Sequence, residues 1–308
     1  MKILIELPTW LGDAVMTTPA IENLEYHFDD AEITLIGSSV AIDAIKNHPK
    51  ITKTYILDGT YSSVYRVVKR LGEFDIFLSF RGSLRSKFMK FCISAKSKFQ
   101  FDNKIYKKGH QVEKYNNFIN DSININSSPG KLILHNIKKN KLGKNKILGI
   151  NPGASYGDAK RWYPDEFANV ASALSNEYDI VIFGGSGEKD IAGDIEKNLI
   201  KKGVTNYQNL AAHTSISELM NHISNLDLFV TGDSGPMHLA AAFKVPTVSI
   251  FGPTNHNETS QWMNDKSIIV KKELDCQPCM KRKCPLKHNN CMKLIKADEV
   301  LSSVKSLI

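Results

Sequence analysis

Two doubly wound α/β domains, each built on a parallel sheet, are the fold class this sequence predicts, and three observations carry that prediction. The chain has 308 residues, more than one hydrophobic core usually serves. Short β-rich runs alternate with helical patterns, and the alternation runs through twice. Each strand run is apolar at consecutive positions, as strands covered on both faces of a parallel sheet must be.

In the first half, residues 2–7, 31–37, 53–57 and 74–79 read as strands. Helices fit over 14–28, where Val15, Leu24 and Phe28 are among the apolar positions, and over 62–71. The stretch Ser127-Ser128-Pro129-Gly130 and the polar run 138–146 punctuate the middle. The boundary is therefore set there, giving domains 1–144 and 145–308. The second half restarts with strand 147–151, followed by helix 164–176, strand 179–183, helices 188–201 and 215–225, strand 228–231, helix 236–243 and strand 247–251. Ligands of such sheets sit beyond the carboxyl ends of the strands, so the turns there are where chemistry belongs.

Net charge is +8, and all of the excess lies in the first half: residues 1–144 hold 22 Lys and Arg against 14 Asp and Glu, while 145–308 hold 18 of each. Within 66–114 there are 13 basic and 4 acidic side chains. Such a block favours a phosphorylated substrate, an anionic lipid surface or nucleic acid, and it also reads as a solvated lysine-rich face. Apolar runs such as 147–150 and 245–251 are far shorter than the roughly 20 residues of a membrane-spanning helix. The opening Met1-Lys2-Ile3-Leu4-Ile5-Glu6-Leu7-Pro8 has a glutamate inside its apolar run, so it reads as a buried strand rather than a signal peptide, and a cytoplasmic protein is expected.

Four turns carry candidate chemistry. After the first strand, Gly12 permits close backbone approach and Asp13 is placed by the start of the next helix, as a cleft carboxylate or as a helix cap. The absence of Gly-x-Gly-x-x-Gly there counts against a dinucleotide dehydrogenase. The turn 151–162 offers small residues, the Ser155 hydroxyl and the Lys160 ammonium, together a cradle for a diphosphate; Arg161 and Trp162 read as rim packing. In 183–190, Glu188 suits either a ribose diol or the dipole of the helix it opens. The turn 231–242 says most. Asp233 ends a buried strand, Pro236 fits the first turn of a helix, and the N–H groups near Ser234 and Gly235 form an anion site that His238, one turn in, reaches.

Of five cysteines, Cys92 stands alone and Cys276, Cys279, Cys284 and Cys291 cluster. In a cytosolic protein such a cluster means a metal or free thiols, and its spacing departs from paired zinc knuckles, so a reduced, metal-free feature outside catalysis is expected.

These turns, in this order, resemble the ADP-heptose:lipopolysaccharide heptosyltransferases of glycosyltransferase family 9. The resemblance rests on Leu11-Gly12-Asp13-Ala14-Val15-Met16-Thr17-Thr18-Pro19-Ala20, on Pro152-Gly153-Ala154 and Ala159-Lys160-Arg161-Trp162, and on Asp233-Ser234-Gly235 with His238. It spans nearly the whole chain. Ser234 stands where other members have Thr, which keeps the hydroxyl. Cys279-x4-Cys284-Pro285, followed by His288 and Cys291, is similar to the members that add the second heptose.

The resemblance implies the GT-B architecture, two Rossmann-like domains facing a central cleft, with the acceptor on the first, ADP-heptose on the second, and the last helix packed back on the first. It implies Asp13 as general base, Lys160 and Ser155 on the donor diphosphate with Ser234, Gly235 and His238, Glu188 on the ribose, and Asp233 on the heptose hydroxyls. Arg81, Arg85 and Lys87 of the basic block are then the acceptor-side candidates. An inverting transfer to the lipopolysaccharide or lipooligosaccharide inner core follows, with no cofactor and no divalent metal, by a monomer at the cytoplasmic face of the inner membrane on a Kdo-lipid A type acceptor. Two alternatives stand beside it: a relative adding the first heptose or heptosylating another glycan or protein, and a noncatalytic nucleotide-sugar or nucleic-acid binding protein. Against the latter, the basic segment has no recognisable nucleic-acid motif.

Overall fold

The computed structural model describes residues 1–135, 137 and 145–308. The chain divides into two compact units, Met1–Asn136 and Ile137–Ile308. Residues 138–144 of the polar run, and with them the expected boundary at 144, lie outside the described residues.

The first unit runs β1 (Lys2–Glu6), α1 (Leu11–Met16), α2 (Thr18–His27), β2 (Glu32–Gly37), α3 (Ser39–Ile45), β3 (Ile51–Ile56), α4 (Tyr61–Val68), β4 (Phe74–Ser79), α5 (Leu84–Cys92), β5 (Ala95–Gln100) and α6 (Gln111–Ile123). Its five parallel strands lie in the order β3-β2-β1-β4-β5. The most apolar strand is central, with Ile3, Leu4 and Ile5 fully buried. The edges carry Lys53 on β3 and Lys96 and Lys98 on β5, charges that discourage pairing with another chain. The single helix expected over 14–28 is two. Pro19 has no N–H to return to the Val15 carbonyl, and the Thr18 hydroxyl donates to that oxygen instead, at 2.8 Å.

The second unit runs β6 (Lys146–Asn151), α7 (Pro164–Leu174), β7 (Tyr178–Ile182), α8 (Lys189–Lys201), β8 (Tyr207–Asn209), α9 (Ile216–Ser224), β9 (Leu228–Gly232), α10 (Gly235–Phe243), β10 (Thr247–Phe251), α11 (His256–Thr259), β11 (Ser267–Lys271), α12 (Asn290–Lys293) and α13 (Ala297–Leu307). Six parallel strands lie in the order β11-β10-β9-β6-β7-β8. Helix α13 lies on α7 and β11 and buries Val300 and Val304 in this unit's own core.

In each sheet the chain leaves two adjacent central strands toward opposite sides, β1 and β4 in one, β6 and β9 in the other. At these switch points Glu6 is in register with Ser79, and Asn151 with Thr231. A crevice opens at such points in doubly wound sheets, and polar residues at the strand ends line it. Among the described residues no helix is long and apolar enough to cross a membrane.

Candidate functional site

At the switch point of the second unit, Lys160 Nζ lies 2.5 Å from Asp233 Oδ2, and the Thr254 hydroxyl donates to the same oxygen at 2.6 Å. The pair is nearly sealed, the side chains being 11% and 5% exposed. Asp233 lies between β9 and α10, and Ser234 is the N-cap of α10 without a side-chain cap bond. The positive end of the helix dipole therefore points to the same place as the ammonium. Asn151 Nδ2, at the end of β6, donates to Ser234 Oγ at 3.1 Å and ties the two turns together.

The loop that carries Lys160 is held at both ends. Trp162, expected at a rim, is a core residue: it is buried, packs edge-on against Phe167 at 4.8 Å and donates from its indole to the Ile295 carbonyl at 3.0 Å. At the tip, the Ala159 N–H donates to the Arg282 carbonyl at 3.1 Å and the Tyr156 hydroxyl to the Met280 carbonyl at 2.7 Å. A Cβ on Gly157 would stand 2.5 Å from the Arg282 carbonyl oxygen, so only glycine permits this approach. Lys160 also lies over the Tyr156 ring, 4.6 Å from its centre. Ser155 is exposed on this loop, and His238 is buried one turn into α10. The Glu188 carboxylate accepts the Gly185 N–H at 2.7 Å and sits where a side chain on Gly153 would be, which brings the second and third turns together.

At the switch point of the first unit the structure shows an acid that sequence reading passed over. Glu6, last in β1, is fully buried and accepts hydrogen bonds from Ser79 Oγ at 2.5 Å and Ser86 Oγ at 2.8 Å. Arg81 Nη1 lies 3.7 Å away. Burial raises the Glu6 pKa above the ordinary carboxylate range, against the Ser79 hydrogen bond and the Arg81 charge, which lower it. A glutamate inside an apolar strand run was the available signal. Arg81 and Arg85 both act on this carboxyl, whereas Lys87 is exposed farther along α5.

Asp13 is half-buried in the first turn of α1, which begins at Leu11, three residues before the expected start. The N-cap position is Trp10, whose own side chain makes no cap bond, and Asp13 lies inside the first turn rather than at the cap. Tyr115 of α6 faces it: burial, and then the Asp13 charge, raise the pKa of that phenol well above the usual range, while Gln111 hydrogen-bonds to it. Helix α6 was unread in the sequence, although Val112, Tyr115, Phe118 and Ile119 mark its buried face.

The family model described as "Glycosyltransferase family 9 (heptosyltransferase)" matches residues 64–290. The chain belongs to glycosyltransferase family 9. It is 42% identical, over 100% of its own length and 98% of the other's, to lipooligosaccharide heptosyltransferase 2 of Campylobacter jejuni. Among solved structures it is similar to E. coli ADP-heptose lps heptosyltransferase II, with TM-score 0.84 and 19% identity over 100% of this chain and 98% of that one. It is likewise similar to E. coli heptosyltransferase WaaC with ADP, with TM-score 0.79 and 14% identity over the whole of both chains. The family 9 motifs therefore sit on two Rossmann-like units of GT-B type, and the chain is a heptosyltransferase.

In this heptosyltransferase the cysteine segment is not remote from the Lys160 loop. Cys276, Cys279, Cys284 and Cys291 line one small cavity with His288, and Ala159, the neighbour of Lys160, lines it too. All four are free thiols. Burial, together with the three neighbouring cysteines, pushes the Cys291 thiol up to about 11, while the Asn289 N–H, donating to Cys284 Sγ at 3.4 Å, holds that thiol below its ordinary range. Among the described residues the one group spaced like metal ligands is Glu22, His48 and His135 of the first unit. There the Lys50 N–H donates to His48 Nδ1 at 3.2 Å, which puts the imidazole proton on Nε2, 3.2 Å from Glu22 and 3.1 Å from Glu25. A ligating histidine donates from its other nitrogen, whereas here that nitrogen accepts, so the ring is not set up as a ligand.

Proposed function

We propose that the chain moves L-glycero-D-manno-heptose from ADP-heptose onto the inner core of lipopolysaccharide or lipooligosaccharide, adding the second heptose to a heptosyl-Kdo-lipid A acceptor with inversion. The observation that carries this reading is the Lys160–Asp233 pair at the N-terminus of α10. A diphosphate arriving there competes with the Asp233 carboxylate for the ammonium. The exchange puts the cation on the leaving group and leaves Asp233 to accept from the heptose hydroxyls. The 42% identity with a lipooligosaccharide heptosyltransferase 2 supports the choice of donor and acceptor.

Asp13 takes the proton of the attacking acceptor hydroxyl, and charge building on the departing ADP is met by Lys160 and the N–H groups of α10. One base and one displacement invert the anomeric carbon. Ser155, Ser234, Gly235 and His238 line the diphosphate and Glu188 takes the adenosine ribose. Arg81 and Arg85, with Lys87, meet acceptor phosphates. No divalent metal takes part, and a monomer works at the cytoplasmic face of the inner membrane. The test is mass spectrometry of products after incubation with ADP-heptose and Kdo-lipid A carrying one heptose or none, with and without chelator. Heptose added only to the heptosylated acceptor, equally in chelator, is expected. Addition to the bare acceptor alone overturns the assignment of the second heptose; no transfer, with salt-sensitive nucleic-acid binding in its place, overturns the enzymatic reading. Loss in chelator overturns the metal-free mechanism.

A further inference from the structure

Helices α4 and α5 pack against each other and both present apolar side chains to solvent. On α5, Leu84 and Phe91 are 77% and 84% exposed, and Phe88 between them is also exposed. Their spacing of four and three residues puts them on one stripe. On α4, Tyr61 and Tyr65 are exposed, and Tyr61 meets Phe88 edge to face at 5.6 Å, which joins the two stripes into one patch. The inward faces are occupied by other residues: Val64 and Val67 of α4 and Met89 of α5 are buried in the unit's core. Among the described residues these outward rings touch one another and Lys69 rather than the core, and contiguous exposed apolar patches of this kind mark interaction surfaces.

The charges around the patch select the partner. Neither helix holds an aspartate or glutamate; Arg66 of α4 is paired with Asp58, but Lys69 and Arg70 follow it and Lys87 and Lys90 lie on α5. Lys69 stands over the Tyr65 ring, 4.5 Å from its centre. Aromatic and leucine side chains that enter the acyl boundary, flanked by lysines whose heads stay at the phosphates, are what an anionic bilayer surface binds. A second copy of the chain fits poorly, because a two-fold contact through this face would set the same cations against one another. The patch also begins at the candidate acceptor site: α5 starts two residues after Gly82, at the carboxyl end of β4, where Arg81 meets Glu6.

We infer that the α4–α5 face docks the enzyme on an anionic lipid bilayer, with Leu84, Phe88 and Phe91 entering the acyl boundary. The purpose of this docking rests on the lipid-anchored acceptor proposed above; the binding itself does not. Docked so, the carboxyl end of β4 meets the sugar of an acceptor whose lipid stays in the membrane.

The test is flotation of the purified chain with vesicles of phosphatidylglycerol and phosphatidylcholine against phosphatidylcholine alone, alongside the Leu84→Ser/Phe91→Ser double variant. Both side chains are exposed, so thermal unfolding of the variant should match wild type. Wild type is expected to float with the anionic vesicles and to be released by salt, and the variant to bind roughly tenfold more weakly or worse. The variant should transfer heptose to a deacylated acceptor at the wild-type rate and lose transfer to the same acceptor in vesicles. The surface is disproved if wild type ignores anionic vesicles, if the variant binds them equally, or if the two substitutions instead abolish binding to a nucleic acid. Vesicle binding that depends on Leu84 and Phe91, with no transfer to any acceptor, supports the docking face and sinks the proposed function.

Discussion

The two switch points use the same topology to opposite ends. In the first unit the acid, Glu6, is on the strand itself, sealed, and held by two serine hydroxyls with Arg81 beyond them. In the second the corresponding strand end is the neutral Asn151, and the acid, Asp233, comes one residue past β9, where the Lys160 ammonium and the Thr254 hydroxyl meet it. A sealed acid with serine donors is a fixed part of the scaffold that orients an arginine. An acid that meets an ammonium at a helix N-terminus is, on the proposed function, an exchangeable contact that the donor diphosphate takes apart. On the proposed function, the difference separates a side that holds its geometry from one that releases a charge when ligand arrives.

The largest effect that sharpens this contrast is on Asp13. Asp13→Asn keeps the size and most hydrogen bonding of the side chain but cannot take a proton, so single-turnover transfer should fall roughly 10²- to 10⁴-fold with ADP affinity unchanged. Transfer at the wild-type rate would remove Asp13 from the chemistry. Next comes Glu6→Ala, which leaves Arg81 half-buried without its carboxylate; a loss of about 2–4 kcal/mol in urea unfolding is expected. ADP affinity should not change, and equal loss there would break the contrast between the units.

Lys160→Ala acts on the exchangeable side. ADP binding by calorimetry should weaken by about 1.5–3 kcal/mol, the range of a charge-assisted hydrogen bond, and transfer should slow as well because the leaving phosphate gains charge in the transition state. Unchanged ADP affinity would mean that Lys160 stays on Asp233 when ligand binds.

The smallest effect concerns Glu22. Burial raises its pKa, but hydrogen bonds from His48 and His135 outweigh burial and bring the carboxyl below the ordinary glutamate range. A carboxylate depressed in the folded state contributes stability that is present above its unfolded value and lost as pH falls through the folded one. The thermal midpoint of wild type should therefore drop below pH 4.5 more steeply than that of Glu22→Gln, measured across an acid series. Parallel curves would show that the two histidines contribute no linkage.

The sequence by itself determined the two parallel-sheet units, because consecutive apolar runs such as Ile3 to Ile5 and Leu228 to Val230 suit only strands buried on both faces. It also located the turns of Asp13, Lys160, Glu188 and Asp233, since small residues and charges next to such runs are visible locally. Edge elements were harder. Strand β5, Ala95–Gln100, has lysines at alternate positions and resembles a solvated segment until β4 pairs with it. The break at Thr17 follows from Pro19, and the structure adds only that the Thr18 hydroxyl takes the Val15 carbonyl that the proline leaves without a donor.

Only the tertiary structure decided which side chains meet. Lys160 and Asp233 are 73 residues apart, and Glu6 and Ser86 are 80 apart. No local periodicity encodes such pairs, because each arises when crossovers return strands to the same sheet end. The approach of the cysteine segment to the Lys160 loop, and the outward apolar stripe of α5, have the same origin. Burial is a property of what packs on an element, and the same leucine or phenylalanine reads alike in sequence whether it ends inside the core or on the surface.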